Sequence, residues 1–183
     1  MTQHILITGA AGSGTTTLAN ALAKELGMTH LEADDYFWLP SEPPYQHRAS
    51  REVRCQSLWR DMGSTTGAVV AGSVMDWGPH LEDMFGLIVF LYLPVDLRLA
   101  RLERREVERF GRANPEFLAW AADYDDGSAT GRNLSRHQTW LSNRTCPILR
   151  LEGDMSVEDR VARVLGGFES HQEEVQVRGS GIH

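Results

Sequence analysis

The stretch Ile5-Leu6-Ile7-Thr8-Gly9-Ala10-Ala11-Gly12-Ser13-Gly14-Thr15-Thr16-Thr17-Leu18 decides the fold. Apolar residues run into a glycine-rich turn. Beyond the turn, Leu18, Leu22 and Leu26 recur every fourth residue with Ala19 and Ala23 beside them. That pattern is a buried strand, a turn and an amphipathic helix, and Gly27 after Lys24 closes the helix. The glycines let backbone N–H groups turn inward, and the helix N-terminus adds partial positive charge at the same point. The unit is a cradle for phosphate.

Working outward, a short second strand over His30 to Glu32 delivers Asp34 and Asp35 at its carboxyl end. Pro40, Pro43 and Pro44 exclude regular structure from Trp38 to Arg48. Within 50–62, Cys55, Leu58, Trp59 and Met62 form a helical stripe, with Arg48, Arg51, Arg54 and Arg60 on or beside it. Ala68 to Ala71 and Leu87 to Leu93 are continuous apolar runs, as in strands covered on both faces. Helices are expected over 95–110, 116–124, 133–141 and 157–168, with a last strand over 147–151. Alternating strands and helices predict an α/β domain over 1–168, a three-layer α/β/α sandwich on a five-stranded parallel sheet. The tail over 169–183 has little apolar periodicity and is expected to be poorly ordered.

A chain of 183 residues with net charge -7 can bury a full core, and its charge argues against a general nucleic-acid surface. No apolar run is long enough to cross a bilayer. The N-terminal residues lack the features of a secretory signal, which predicts a cytoplasmic protein. Cys55 and Cys146 have no metal-ligand spacing and no disulfide framework around them.

Gly9 to Thr17 matches the P-loop pattern except that Thr15 stands where lysine belongs. Gly9, Ala11, Gly12, Ser13, Gly14, Thr15, Thr16 and Thr17 are the candidate triphosphate contacts, and the Thr16 hydroxyl has the magnesium position. The missing lysine normally reaches the β- and γ-phosphates, so an arginine elsewhere must supply that charge or turnover must be slow. A dinucleotide-binding turn is disfavoured, since Gly-x-Gly-x-x-Gly is not in register.

The turn and the order of elements resemble the adenylate-kinase-like group of small P-loop kinases, which includes nucleotide, shikimate and gluconate kinases. The resemblance runs from about Ile5 to Leu165, with the P-loop as its specific part. It implies ATP or GTP with Mg2+ as cofactors, and some cytidylate kinases of the group also carry threonine in place of the lysine. Asp34-Asp35-Tyr36-Phe37 is similar to a segment of uridine kinases in which a carboxylate faces the acceptor hydroxyl. On that likeness Asp35 is the candidate for the acceptor, and Asp34 for metal or acceptor binding. Gly72 and Ser73 lie where shikimate and gluconate kinases contact their substrate. Asp76 could serve the metal or merely the turn.

Arg98, Arg101, Arg105 and Arg109 follow at spacings of three, four and four, which places them on one helix face. The resemblance makes this the approach to a small lid, about 105–132, whose arginines cover the transferring phosphoryl group. Arg101, Arg105 and Arg136 are the catalytic candidates, with Arg112 and Arg132 also drawn in. A solvated face paired with Glu103, Glu106 and Glu108 is the alternative. Arg48 and Arg54, at the helix that binds the monophosphate in nucleotide kinases, are candidate acceptor contacts.

These readings predict an ATP-dependent phosphotransferase acting on a small nucleotide, nucleoside or sugar-like acceptor, without nucleic-acid or membrane partners. The alternative is a regulatory module that binds a nucleoside triphosphate without turnover.

Overall fold

The computed structural model describes residues 4–167, and the expected disordered tail over 169–183 lies outside the described residues. Five parallel strands form the central sheet: β1 (His4–Gly9), β2 (Thr29–Glu32), β5 (Ala68–Ala71), β6 (Phe85–Tyr92) and β7 (Ile148–Glu152). Their order is β2-β5-β1-β6-β7. The chain leaves β1 toward one edge and β5 toward the other, so their carboxyl ends open the crevice where parallel sheets take ligands.

Side-chain alternation along β1 serves two cores. Ile5 and Ile7 join Leu18 and Leu22 of α1 (Thr15–Leu26) and Val164 of the helix α8 over 157–167. Leu6 faces the other way, toward Leu58 and Met62 of α3 (Arg51–Gly63) and Trp140 and Leu141 of α7 (Leu134–Ser142). The sheet is thus covered on both faces, as its apolar runs require.

β2 ends at Glu32, as expected, and Asp34 and Asp35 follow it in a short helix, α2 (Ala33–Phe37). Two local expectations are corrected. The segment Trp38 to Arg48 is not wholly irregular. Trp38 pairs Arg48 and Leu39 pairs His47 in an antiparallel ribbon, β3 (Trp38–Leu39) with β4 (His47–Arg48). The prolines fall in the connection and take no ladder bond. Trp59 is 52% exposed while Leu58 and Met62 are fully buried, because the buried stripe of α3 is narrower than expected.

After β6 come α5 (Val95–Phe110), then α6 (Pro115–Ala122), then a loop to Asn133, which caps α7. α4 (Pro79–Glu82) completes the set.

At the base of α7, His137 is fully buried, its ring nitrogens 3.3 Å from Thr8 Oγ1 and 2.7 Å from the Tyr124 hydroxyl. Burial, with Arg132 adding to it, pushes its pKa from 6.5 down to about 3. Between those values the unfolded chain binds a proton that the native chain does not, so stability is full above pH 6.5 and is lost as the pH falls through that window. Urea midpoints should therefore fall more steeply between pH 6.5 and 4 for the native chain than for His137→Gln. Equal slopes would deny that His137 is held neutral.

Candidate functional site

The turn between β1 and α1 is held by Ser13, whose N–H and hydroxyl both donate to the Ala10 carbonyl, at 3.2 and 2.8 Å. Ser13 is fully buried and has neither group left for a ligand, so it shapes the turn and is removed from the expected direct contacts. Gly12 has φ +82, and a Cβ there would lie 2.8 Å from the Arg98 carbonyl oxygen. No other residue fits without moving α5. The N–H groups of Gly14, Thr15, Thr16 and Thr17 are donated to no carbonyl among the described residues, because the first bond onto the turn comes from Leu18 to Gly14. These are the unsatisfied donors of a helix start, aimed where an anion would sit.

Two buried arginines hold the turn's carbonyls. Arg98, first of the expected stripe, is fully buried and donates to Leu93 O, to Ala121 O, to Ala11 O and to the Asp125 carboxylate. It is a brace between α5, the end of α6 with the loop after it, and the turn. Arg160 of α8, 4% exposed, donates to Ser13 O at 2.9 Å and to Gly153 O at 3.2 Å.

The carboxylate beside the Thr16 hydroxyl is neither member of the Asp-Asp pair. Thr16 donates its hydroxyl to Glu32 Oε2 at 3.2 Å, Glu32 being the last residue of β2. Burial pushes the Glu32 pKa up to about 7, the Thr16 hydrogen bond opposes this, and the charges of Asp34 and Asp35 add to it. His30 Nε2 lies 2.9 Å from Glu32 Oε1, out of hydrogen-bond alignment. Burial lowers the His30 pKa, with Asp35 opposing, so both partners lean toward their neutral forms. Asp34 and Asp35 are exposed on α2, within electrostatic reach of Glu32.

Around the start of α3, three arginines gather without a carboxylate ion pair among the described residues. The Arg54 guanidinium lies 4.8 Å from the Phe37 ring centre and 5.1 Å from that of Trp77. Arg48 lies over Phe37 and Trp38, and Arg51 donates to the Trp77 carbonyl. The Arg54 Nε is buried without a hydrogen bond. Burial lowers its pKa, and Arg51 and Arg48 lower it further. Aromatic faces stabilise such cations in part, and an anion would relieve what remains.

The other expected residues separate. Arg101 is paired with Asp154 at 2.6 Å, after β7. Arg136 is paired with Asp76 at 2.6 Å and donates to Gly131 O. Arg105 is exposed without an ion-pair partner among the described residues. Arg109 stacks over Tyr45 in the β3–β4 connection. No pairing joins Glu103, Glu106 or Glu108 to the stripe among the described residues. Gly72 does not open the backbone to an acceptor: its missing Cβ makes room for Ala33, whose Cβ would lie 3.0 Å away. The Ser73 hydroxyl accepts from Met75 N–H within the same loop. Asp76, at φ +65 and bound to Arg136, serves the turn.

Glu32, Arg160 and Trp77 were not singled out from sequence. Glu32 had a usable signal, since it ends a strand of a parallel sheet. Arg160 had none, being one of two arginines on α8.

A family model described as AAA domain matches residues 5–116. Uncharacterized protein YqaC of Bacillus subtilis (strain 168) is 37% identical over 183 residues, covering 93% of this chain and all of that one. A gluconokinase from Sinorhizobium meliloti 1021 superposes with TM-score 0.61 at 17% identity, covering 97% of both chains. A shikimate kinase from Acinetobacter baumannii, solved with shikimate, gives 0.59 at 18%, covering 92% of this chain and 94% of that one. The expected fold, a small P-loop kinase sandwich, is the fold found. Among the described residues no helix is long and apolar enough to cross a membrane.

Proposed function

The chain belongs to the AAA domain family, and from that premise we propose that it is a small-molecule kinase, moving the γ-phosphoryl of ATP to a hydroxyl of an acceptor that carries an anionic group. The observation that carries the reading is a second centre of charge near the first: Glu32 meets Thr16 on the donor side, and Arg54, without an ion pair among the described residues and flanked by Arg48 and Arg51, packs on Phe37 of the helix that follows Glu32. A donor site alone would have no use for the second.

The free N–H groups from Gly14 to Thr17 suit the phosphates. The Thr16 hydroxyl and the Glu32 carboxylate fit a magnesium ion, which takes one or two protein oxygens beside phosphate oxygens and water and neutralises phosphate charge. Asp35 is suited to orient the acceptor hydroxyl and receive its proton, and Asp34 to the shell around the ion. Arg54 and Arg48 suit a carboxylate or phosphate, and the rings of Phe37, Trp38 and Trp77 a compact carbon frame. The gluconokinase and shikimate kinase folds favour a hydroxy acid over a nucleoside. Chemistry that uses ATP and a small water-soluble acceptor fits a cytoplasmic location.

ADP release should be measured with ATP, Mg2+ and a panel of sugar acids, cyclic hydroxy acids, nucleosides and nucleoside monophosphates. A hydroxy acid is expected to stimulate release at least tenfold over water, a modest demand against the range enzymes span. Stimulation by uncharged nucleosides alone would defeat the anionic-acceptor reading. The second reading, a regulatory nucleotide module, draws on Arg101 and Arg136, both engaged by aspartates; it requires ATP binding with no stimulation by any acceptor.

A further inference from the structure

The geometry points to Arg160 as the residue that supplies, from behind the turn, the positive charge that a lysine at position 15 would supply from within it. The inference rests on the nucleotide-binding half of the proposed function. Arg160 is 4% exposed, its guanidinium fixed by the carbonyls of Ser13 and Gly153. Its NH1 is 3.1 Å from the point where a Gly14 Cβ would stand, so it lies against the backbone whose N–H groups are free.

No carboxylate forms an ion pair with Arg160 among the described residues. Asp154, an acid whose charge acts on it, is paired with Arg101, and Arg160 Nε is buried without a hydrogen bond. A buried cation without a counter-charge is strongly destabilising, and two carbonyl dipoles compensate it only in part. The cradle on the other side of the same peptide groups is built for an anion. A polyphosphate there is the missing counter-charge, felt through one layer of backbone in a region closed to screening by salt. The carbonyl of Ser13, held outward by Arg160, also keeps the adjoining N–H groups turned inward. Arg160 is thus a positioning residue that does not touch the ligand.

The test is calorimetric titration of the whole chain with ATP, ADP and AMP, for Arg160→Gln, Thr15→Lys and the double variant, each checked by near-ultraviolet circular dichroism. Arg160→Gln should weaken ATP binding about tenfold or more, ADP less and AMP least, because the loss scales with ligand charge. Thr15→Lys should restore most of that loss in the double variant and improve the native chain less than about threefold, the charge being already present. ATP binding within twofold of native in Arg160→Gln overturns the assignment, as does an equal loss for all three nucleotides, the signature of a merely structural role. If Arg160→Gln does not fold, Thr15→Lys alone decides: a gain of tenfold or more shows that the charge was absent and overturns it. A native chain that binds no ATP overturns the proposed function and this inference together; binding indifferent to Arg160 overturns this one alone.

Discussion

Glu32→Ala is expected to lower magnesium-dependent phosphoryl transfer by about a hundredfold or more, the scale set by losing charge stabilisation around a transferring phosphoryl group. The Thr16 hydroxyl would lose its carboxylate partner at 3.2 Å, and the ion a protein ligand. Folding should not suffer. A carboxyl whose burial pushes its pKa from 4.5 to about 7 is more easily ionised in the unfolded chain, so it lowers stability above pH 4.5 and its removal relieves that. The checks are turnover against Mg2+ concentration and the unfolding temperature at pH 7. Asp34→Asn, altering an exposed residue on α2, should cost less than tenfold. Full activity in Glu32→Ala would move the metal role to the Asp-Asp pair.

The second large effect is on stability. Arg98→Met should destabilise the chain by about 3–5 kcal/mol, lowering the unfolding temperature by about 10 °C. The methionine fills similar space yet leaves the carbonyls of Leu93 and Ala121 without a donor and Asp125 without its cation at 2.8 Å. Urea unfolding measures the loss. A change below 1 kcal/mol would mean that water replaces the guanidinium freely. Arg105→Met, exposed and unpaired, should leave stability within about 0.5 kcal/mol.

The contrast between those two arginines explains where sequence reading succeeds and stops. The strands were legible because a parallel strand covered on both faces must be apolar throughout, as Ala68–Ala71 is. The turn was legible because backbone geometry demands glycine at fixed points. The arginine face was not. A spacing of three and four shows which residues share a side of α5, but not that the side is buried at Arg98 and Leu102 and open by Arg105. That change depends on where the helix leaves the sheet, a tertiary fact.

Glu32 was hidden by its neighbours. Two adjacent aspartates draw attention as candidate ligands, yet the peptide after Glu32 turns helical and carries both onto an exposed surface. The strand's last residue is the carboxylate that the Thr16 hydroxyl meets. Arg160 is subtler still, since its partners are carbonyl oxygens, and no side-chain pattern announces a carbonyl.

The two-residue strands β3 and β4 give the molecule an unequal build. The donor turn is gripped from two helices and pre-organised, so taking up a nucleotide should require little loss of conformational entropy. The proposed acceptor wall takes Trp38 and Arg48 from a ribbon of two paired positions, with Leu39 and Tyr45 exposed at its edge, and its other residues from α2, α3 and the loop after β5. Changes at Trp38 and Arg48 on that short ribbon can therefore reshape one side of the proposed acceptor wall without touching the turn.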